Sequence, residues 1–332
     1  MFLIYRMNKS EKPSVLFLVN WVNHAYLLPL QKQLLEKYCK EHVDYLAILD
    51  LKKDYHYTNI DNPDAWKELI TICESNNISY IEMPQEFHFE RRKELFEPLM
   101  FPLQECIIKP KFKEFDASSR DCAVTQYAWN YARKHKKEYQ YICIIQSDII
   151  PFQPFSVIEK LGGHSILYQE TPVIEESKPI DLYYAWSGFL MMDLLAEPTA
   201  PWELMCFEYG YVRDKYYLDA GGATWILLEK LQKKRKLISK PANLVKTDPI
   251  FTKFPKAVQD FYERDIQNGY TSSELKDNEF IHLGNISNWH VANDMKNPNY
   301  SIEPIIQKTE AQLTRIKRYY ECCQKLLNTS SC

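Results

Sequence analysis

The chain has 332 residues, 45% of them hydrophobic, enough to close one large core or two modest ones. Its 41 basic and 44 acidic residues leave a formal net charge of -3, which excludes the broad basic surface of a nucleic-acid or anionic-membrane binder. Any anionic ligand must then be met locally, by a metal, a helix end or a few side chains.

Aromatic residues make up 14% of the chain, with 23 Tyr and 7 Trp, a supply that serves either an aromatic core or a ring-lined cleft for sugars or bases. The nine cysteines are odd in number and show no Cys-x-x-Cys spacing, so they read as reduced thiols of a reducing compartment. The apolar start "MFLIYR" is too short for a signal peptide or a spanning helix. The expectation is a cytoplasmic protein without a transmembrane segment.

In chain order, "SVLFLVN" (14–20) is a continuous apolar run suited to a strand buried on both faces, and the segment after it has helical periodicity at Leu27, Leu30, Leu34, Leu35 and Tyr38. "VDYLAILD" (43–50) predicts a second strand. A helix with Pro63 near its first turn and a stripe at Trp66, Leu69, Ile70 and Cys73 leads to a third, "ISYIEM" (78–83). This βαβαβ order implies parallel pairing with right-handed crossovers. Residues 84–117, broken by Pro84, Pro98, Pro102 and Pro110, read as an irregular excursion. A helix of about 17 residues follows "DASSRD" and delivers the chain into "YQYICIIQSDIIPFQPF" (139–155). There an apolar strand runs into Gln146, Ser147 and Asp148, then into more apolar residues and two prolines. A strand parallel to the earlier ones would put these three residues at the carboxyl end of the sheet, where open α/β folds bind ligands. Beyond Pro154 the sequence predicts a short helix, strands at 164–170 and 181–193, a loop into a helix over "AGGATWILLEKLQKKRK" (220–236), a strand breaking into a loop at 280–290, and a closing helix over 301–327. The economical organisation is a single domain, 1–332, with an opening half at 14–150, an elaborated half at 151–300 and a C-terminal helix at 301–332.

A nucleoside diphosphate would need its charge neutralised, and in a chain with no basic excess a divalent ion with oxygen ligands is a compact way to do it. Asp148 offers the hard oxygen. Gln146, two residues back on the same strand face, is placed for a ribose or for metal-bound water, with Ser147 beside it. With these residues "IIQSDIIPF" resembles the Asp-x-Asp motif of nucleotide-sugar-dependent glycosyltransferases of GT-A fold, with Gln146 in place of the first carboxylate. Those enzymes open with a Rossmann-like βαβαβ half and reach the motif after a long helix. The resemblance therefore implies a GT-A α/β fold, a mixed sheet flanked by helices with an elaborated C-terminal half and a C-terminal helix.

Later segments resemble the same superfamily in order. "AWSGFLMMDL" (185–194), with Trp186, Ser187 and Gly188, is similar to a small-residue turn before a buried strand in glycogenin-like and bacterial galactosyltransferase-like enzymes. "YLDAGGATW" (217–225) falls where those families put an acidic residue facing the sugar: Asp219 either does that or caps the next helix, and Gly221 and Gly222 permit close backbone approach to a ligand. "HLGNISNWH" (282–290) looks like their late His-x-x-Gly-x-x-Lys-Pro-Trp segment, with Asn288 where lysine is expected and Trp289 beside it. His282 is then either the imidazole of the metal shell or a satisfied core histidine. Trp186 and Trp289 are either platforms for sugar faces or core. For the nucleotide, the resemblance points to Asn20 and Trp21 at the end of the first strand, Asp50 at the end of the second, and Arg120, a cation in a first helical turn where the dipole disfavours it.

The activity so implied moves a sugar from a nucleoside diphosphate sugar, UDP-linked first, to a hydroxyl acceptor on a glycan, protein or lipid. Asp148 and His282 would hold Mn2+ or Mg2+. Inversion would use Asp219 or Asp193 as the base toward the acceptor; retention, which the glycogenin-like order favours, would set Asp219 beside the sugar ring. Nucleotidyl transfer and a degenerate nucleotide- or glycan-binding module are the rivals. The absence of glycine from "VNWVNHAYLLP" speaks against the first, and against a dinucleotide-binding dehydrogenase or a P-loop enzyme. Gln146 favours the second.

Overall fold

The computed structural model describes residues 13–51, 64–88, 91, 94–95, 107–108, 117–135, 139–175, 178–212, 216–270, 272–284 and 302–329. The opening half follows the predicted order: β1 (Ser14–Trp21), α1 (Leu28–Tyr38), β2 (His42–Asp50), α2 (Ala65–Ser75) and β3 (Tyr80–Met83). β1 pairs parallel with β2, and β2 with β3. Most of the 84–117 excursion lies outside the described residues; within it is the short strand β4 (Ile107–Ile108). The long helix α3 (Ala117–His135) then feeds β5 (Tyr141–Gln146), which lies parallel against β1.

The rest of the chain adds β6 (Ile149–Pro151), α4 (Val157–Leu161), β7 (Ile166–Glu175) and β8 (Lys178–Asp193). After them come β9 (Gly210–Val212), β10 (Tyr216–Leu218), α5 (Trp225–Lys230), β11 (Lys234–Lys236) and β12 (Ser239–Pro241). The chain ends with α6 (Ala242–Thr247), α7 (Lys256–Gln267), β13 (Glu274–Lys276), β14 (Phe280–His282) and α8 (Ile302–Asn328). The main sheet is mixed, in the order β11-β7-β8-β5-β1-β2-β3; a second has the order β12-β13-β14-β6, and a small third the order β10-β9-β4. Alternation along β1 explains why it is apolar throughout: Val15, Phe17 and Val19 enter one core, Leu16 and Leu18 the other.

The odd composition of "IIQSDIIP" has a topological cause. β5 ends at Gln146, Ser147 and Asp148 turn the chain, and β6 begins at Ile149 in the second sheet, antiparallel to β14. Ile149 and Ile150 are apolar because they are at most 1% exposed in that sheet. Gln31 clamps the junction, its Nε2 donating to the carbonyls of Gln146 and Ile149, both at 2.8 Å. Leu283 N–H and Tyr319 O–H both donate to the Asp148 carbonyl at 2.9 Å.

Two expectations need correction. The helix over 220–236 is only α5, because Glu197 takes the N–H groups of Gln232 at 3.2 Å and Lys233 at 3.1 Å and turns the basic run into the edge strand β11, where charge is tolerated. Residues 185–188 make no turn; they lie inside the continuous strand β8.

The C-terminal helix is stapled on by Arg315, fully buried, which donates to Asp265 at 2.8 Å, Ser273 at 2.5 Å, the Gly284 carbonyl at 2.9 Å and the Leu283 carbonyl. Removing one partner of a buried charge pair is strongly destabilising. Arg315→Met is expected to lower unfolding free energy by about 3 kcal/mol in urea titration, whereas exposed Lys256→Met should change it little.

Candidate functional site

Because β1, β2 and β5 run parallel, their carboxyl ends share one edge, and Asn20 and Gln146 are direct register partners there. β14 brings His282 to this edge by pairing it with Ile149, next to Asp148. His282 Nε2 lies 3.5 Å from Asp148 Oδ2, and its Nδ1 lies 3.4 Å from Glu274 Oε2. Lys276 binds the same Glu274 oxygen, reaches Gln169 at 2.5 Å, and sits 4.4 Å from the centre of the Trp186 ring. The Trp186 ring is 5.0 Å from that of His282. Lys276, Glu274, His282 and Asp148 thus form one chain of contacts. Burial opposes ionisation of Glu274, but His282 and Lys276 outweigh it and bring its carboxyl down to about 2. Burial likewise opposes the Asp148 carboxylate, and His282 holds it below its ordinary value; burial lowers the His282 pKa, and Asp148 more than compensates.

On the other side of Gln146, Asp121, one turn into α3, accepts a hydrogen bond from Ser187 Oγ and is also hydrogen-bonded to the Gln146 amide. Burial pushes Asp121 up to about 6, the charges of Asp219 and Asp148 adding to that against the two hydrogen bonds. Asp219 is exposed at the mouth of the site, its Oδ1 taking the Ala220 N–H at 2.7 Å.

The predicted residues fall into four groups. Asn20, Gln146, Ser147, Asp148, Trp186, Ser187, Gly188, Asp219 and His282 come together around the carboxyl edge. Gly188 has a local reason: a Cβ there would stand 2.3 Å from the Trp186 ring and 2.8 Å from the Gln146 amide carbon. Asp50 and Arg120 also reach this edge, but face one another: Arg120 Nε lies 2.5 Å from Asp50 Oδ2, with His88 Nε2 3.0 Å from Oδ1. Against burial, Arg120 first and His88 second hold Asp50 far below the ordinary carboxylate range.

Three expectations are corrected by position. Asp193 pairs with Tyr141 at the start of β5, roughly 17 Å of strand from Gln146. There it caps a turn, accepting from Leu195 and Ala196 N–H at 2.9 and 3.1 Å, and serves no acceptor at the other edge. Trp21 is 1% exposed and donates to Tyr45 at 2.9 Å, which makes it core rather than a surface for a base. The tight approach at Gly221 and Gly222 is to the chain itself: a Cβ on Gly221, at φ +90, would stand 2.2 Å from the Ala185 carbonyl, and one on Gly222 2.4 Å from Leu218. Asn288 and Trp289 lie outside the described residues.

Sequence reasoning passed over Asp121, Glu274 and Lys276. Nothing in the run around Asp121 shows that later strands meet it, and nothing near "SSELKDNEF" marks a site without the pairing of β13 and β14.

Two donors each about 2.1 Å from a shared divalent ion stand roughly 3.0 to 3.4 Å apart, close to the 3.5 Å between Asp148 Oδ2 and His282 Nε2. Glu274 on Nδ1 supplies the carboxylate that such a histidine ordinarily keeps behind it. Among the described residues no group of three or more His, Cys, Asp or Glu side chains is arranged to hold a metal. Asp148 and His282 are thus two donors at a spacing that a divalent ion would accept.

Asp121 gives a signed pH test. Its folded carboxyl titrates at about 6 against an ordinary 3.8, so the ionised form opposes folding, fully above pH 6 and progressively less toward pH 4. The difference corresponds to roughly 3 kcal/mol at most. Asp121→Asn, which can keep the Ser187 contact, is expected to stabilise the ligand-free protein by that order at pH 8 and hardly at all near pH 4, as read by urea denaturation at the two pH values.

No family model matches the chain, and no curated protein matches it. Among the described residues no helix is long and apolar enough to cross a membrane. Among solved structures the chain is similar to mouse xyloside xylosyltransferase 1 in its apo form, at 10% identity and a TM-score of 0.37, over 67% of this chain and 84% of that one. It is also similar to the mannosyltransferase Ktr4p from S. cerevisiae, at 12% identity and a TM-score of 0.33, over 58% of this chain and 59% of that one.

Proposed function

We propose that the chain is a glycosyltransferase that moves a sugar from a nucleoside diphosphate sugar, a UDP-sugar first among them, to a hydroxyl acceptor. One observation carries this reading: Asp148 and His282, 134 residues apart in the chain, converge at 3.5 Å on the carboxyl edge of a parallel sheet. A carboxylate and an imidazole in that place, backed by Glu274, are suited to a divalent cation and through it to a diphosphate.

A bound Mn2+ or Mg2+ supplies Lewis-acid charge to a departing diphosphate. The chain's own residues do the positioning. Asp148, buried and ionised, offers Oδ2; Glu274 takes the Nδ1 side of His282 and leaves Nε2 facing Asp148. Trp186, half-buried beside His282, presents a ring for the apolar face of a sugar. Asp219, exposed at the mouth, is the carboxylate within reach of an acceptor hydroxyl or of the sugar ring.

Calorimetry with UDP and Mn2+ tests the site. Asp148→Asn is expected to lose Mn2+-dependent UDP binding while its melting temperature stays within a few degrees of the parent; unchanged binding would sink the site. With a panel of nucleotide sugars, nucleotide release that depends on Asp148 supports transfer. Binding without release points to a non-catalytic module, and pyrophosphate release from a nucleoside triphosphate to nucleotidyl transfer.

A further inference from the structure

α3 sends Asp121 and Thr125 toward the carboxyl edge from one helical face, one turn apart. On the sheet side, Asn20 and Gln146 are register partners on neighbouring parallel strands, so their side chains leave the same face. The two pairs meet. Asn20 Nδ2 donates to Thr125 Oγ1 at 2.7 Å, and the Gln146 amide is hydrogen-bonded to Asp121. Ser187 on β8 donates to Asp121 Oδ2 as well. Asp121 is thus held from three elements, yet it remains partly exposed and open to a ligand.

An independent observation marks the same corner. Asn20 is 8% exposed, and its Oδ1 has no hydrogen-bond partner among the described residues. A buried acceptor left without a donor costs about 1–3 kcal/mol. A ligand that brings O–H or N–H groups into this corner removes that penalty.

We propose that Asp121, with Asn20 beside it, binds the ribose of the nucleotide, the carboxylate accepting hydrogen bonds from the ribose hydroxyls. This rests on the nucleotide-sugar reading above. Through Gln146, Asp121 lies between the Asn20 corner and the Asp148–His282 pair, and ribose is the part of a nucleoside diphosphate that lies between base and phosphates. Charge decides against the alternative occupant: Asp219 and Asp148 already act on Asp121, so a phosphate here would add a further anion. Neutral hydroxyls are donors that a carboxylate, which only accepts, pairs with directly.

The test uses the full chain, Mn2+, UDP and GDP, and the 2′-deoxy and 3′-deoxy forms of both nucleotides, so that the ribose is probed whichever base is preferred. The parent is expected to bind the ribonucleotide at least tenfold more tightly than one of its deoxy forms. Asp121→Asn is expected to weaken ribonucleotide binding at least tenfold and to erase that preference, while melting no lower than the parent. The isosteric exchange Asp121→Asn with Gln146→Glu, which returns a carboxylate to the pair, should recover part of the lost affinity. A variant Asp121→Asn that binds as the parent does, or that binds weakly but keeps the parent's preference for ribose, overturns this inference and leaves the nucleotide-sugar reading standing. A parent chain that binds neither nucleotide overturns both.

Discussion

The site depends on one constraint: the chain must leave one sheet and enter another within two residues. Gln146 is the last residue of a parallel strand and Ile149 the first of an antiparallel one, so Ser147 and Asp148 have no room to drift. Gln31 binds the carbonyls on either side of the turn, while Leu283 and Tyr319 bind the carbonyl of Asp148 itself. Every backbone contact thus pins the main chain and leaves the carboxylate to the site. Precision of this kind comes from elements rather than loops, and a binding constellation gains from it.

The same joint ties the C-terminal helix to the chemistry. Tyr319 reaches Asp148, and Arg315 holds the carbonyls of Leu283 and Gly284, immediately after His282. Asp148 and His282 are therefore fixed from one helix as well as from paired strands. Asp265, buried with Arg315 and Arg318, anchors that helix to α7. Loosening α8 would blur both proposed ligands at once, although neither belongs to it.

Legibility from the sequence followed the range of the signal. β1, β2 and β5 are continuous apolar runs, because strands buried on both faces need no alternation, and such runs can be seen in a window of eight residues. Asp148 stood out for the same reason, as a carboxylate between apolar neighbours. Asp193 was misplaced because an apolar strand reads the same in either direction; only the antiparallel pairing of β8 with β5 carries it to the wrong edge. Trp21 could be platform or core, and Tyr45, 24 residues on, decides for core. Asp121 was invisible because its partners, Gln146 and Ser187, lie on two later strands. The second sheet was missed for a further reason: β12, β13 and β14 are three residues each, too short to show a period.

The electrostatics divide the edge into two unlike regions. Around Asp50 a cation is at hand: Arg120 pairs with the buried carboxylate, and His88 lies against it. Around Asp121 the neighbouring charges are alike: Asp219 and Asp148 add to the burial that raises it to about 6. Lys276 is turned toward Glu274, Gln169 and the Trp186 ring, so its charge is spent behind His282. A region that is electrostatically unfavourable when empty becomes favourable once a cation and hydroxyl donors arrive, and native proteins accept such local destabilisation where they bind ligands. The proposed nucleotide is accordingly assigned to the side around Asp121.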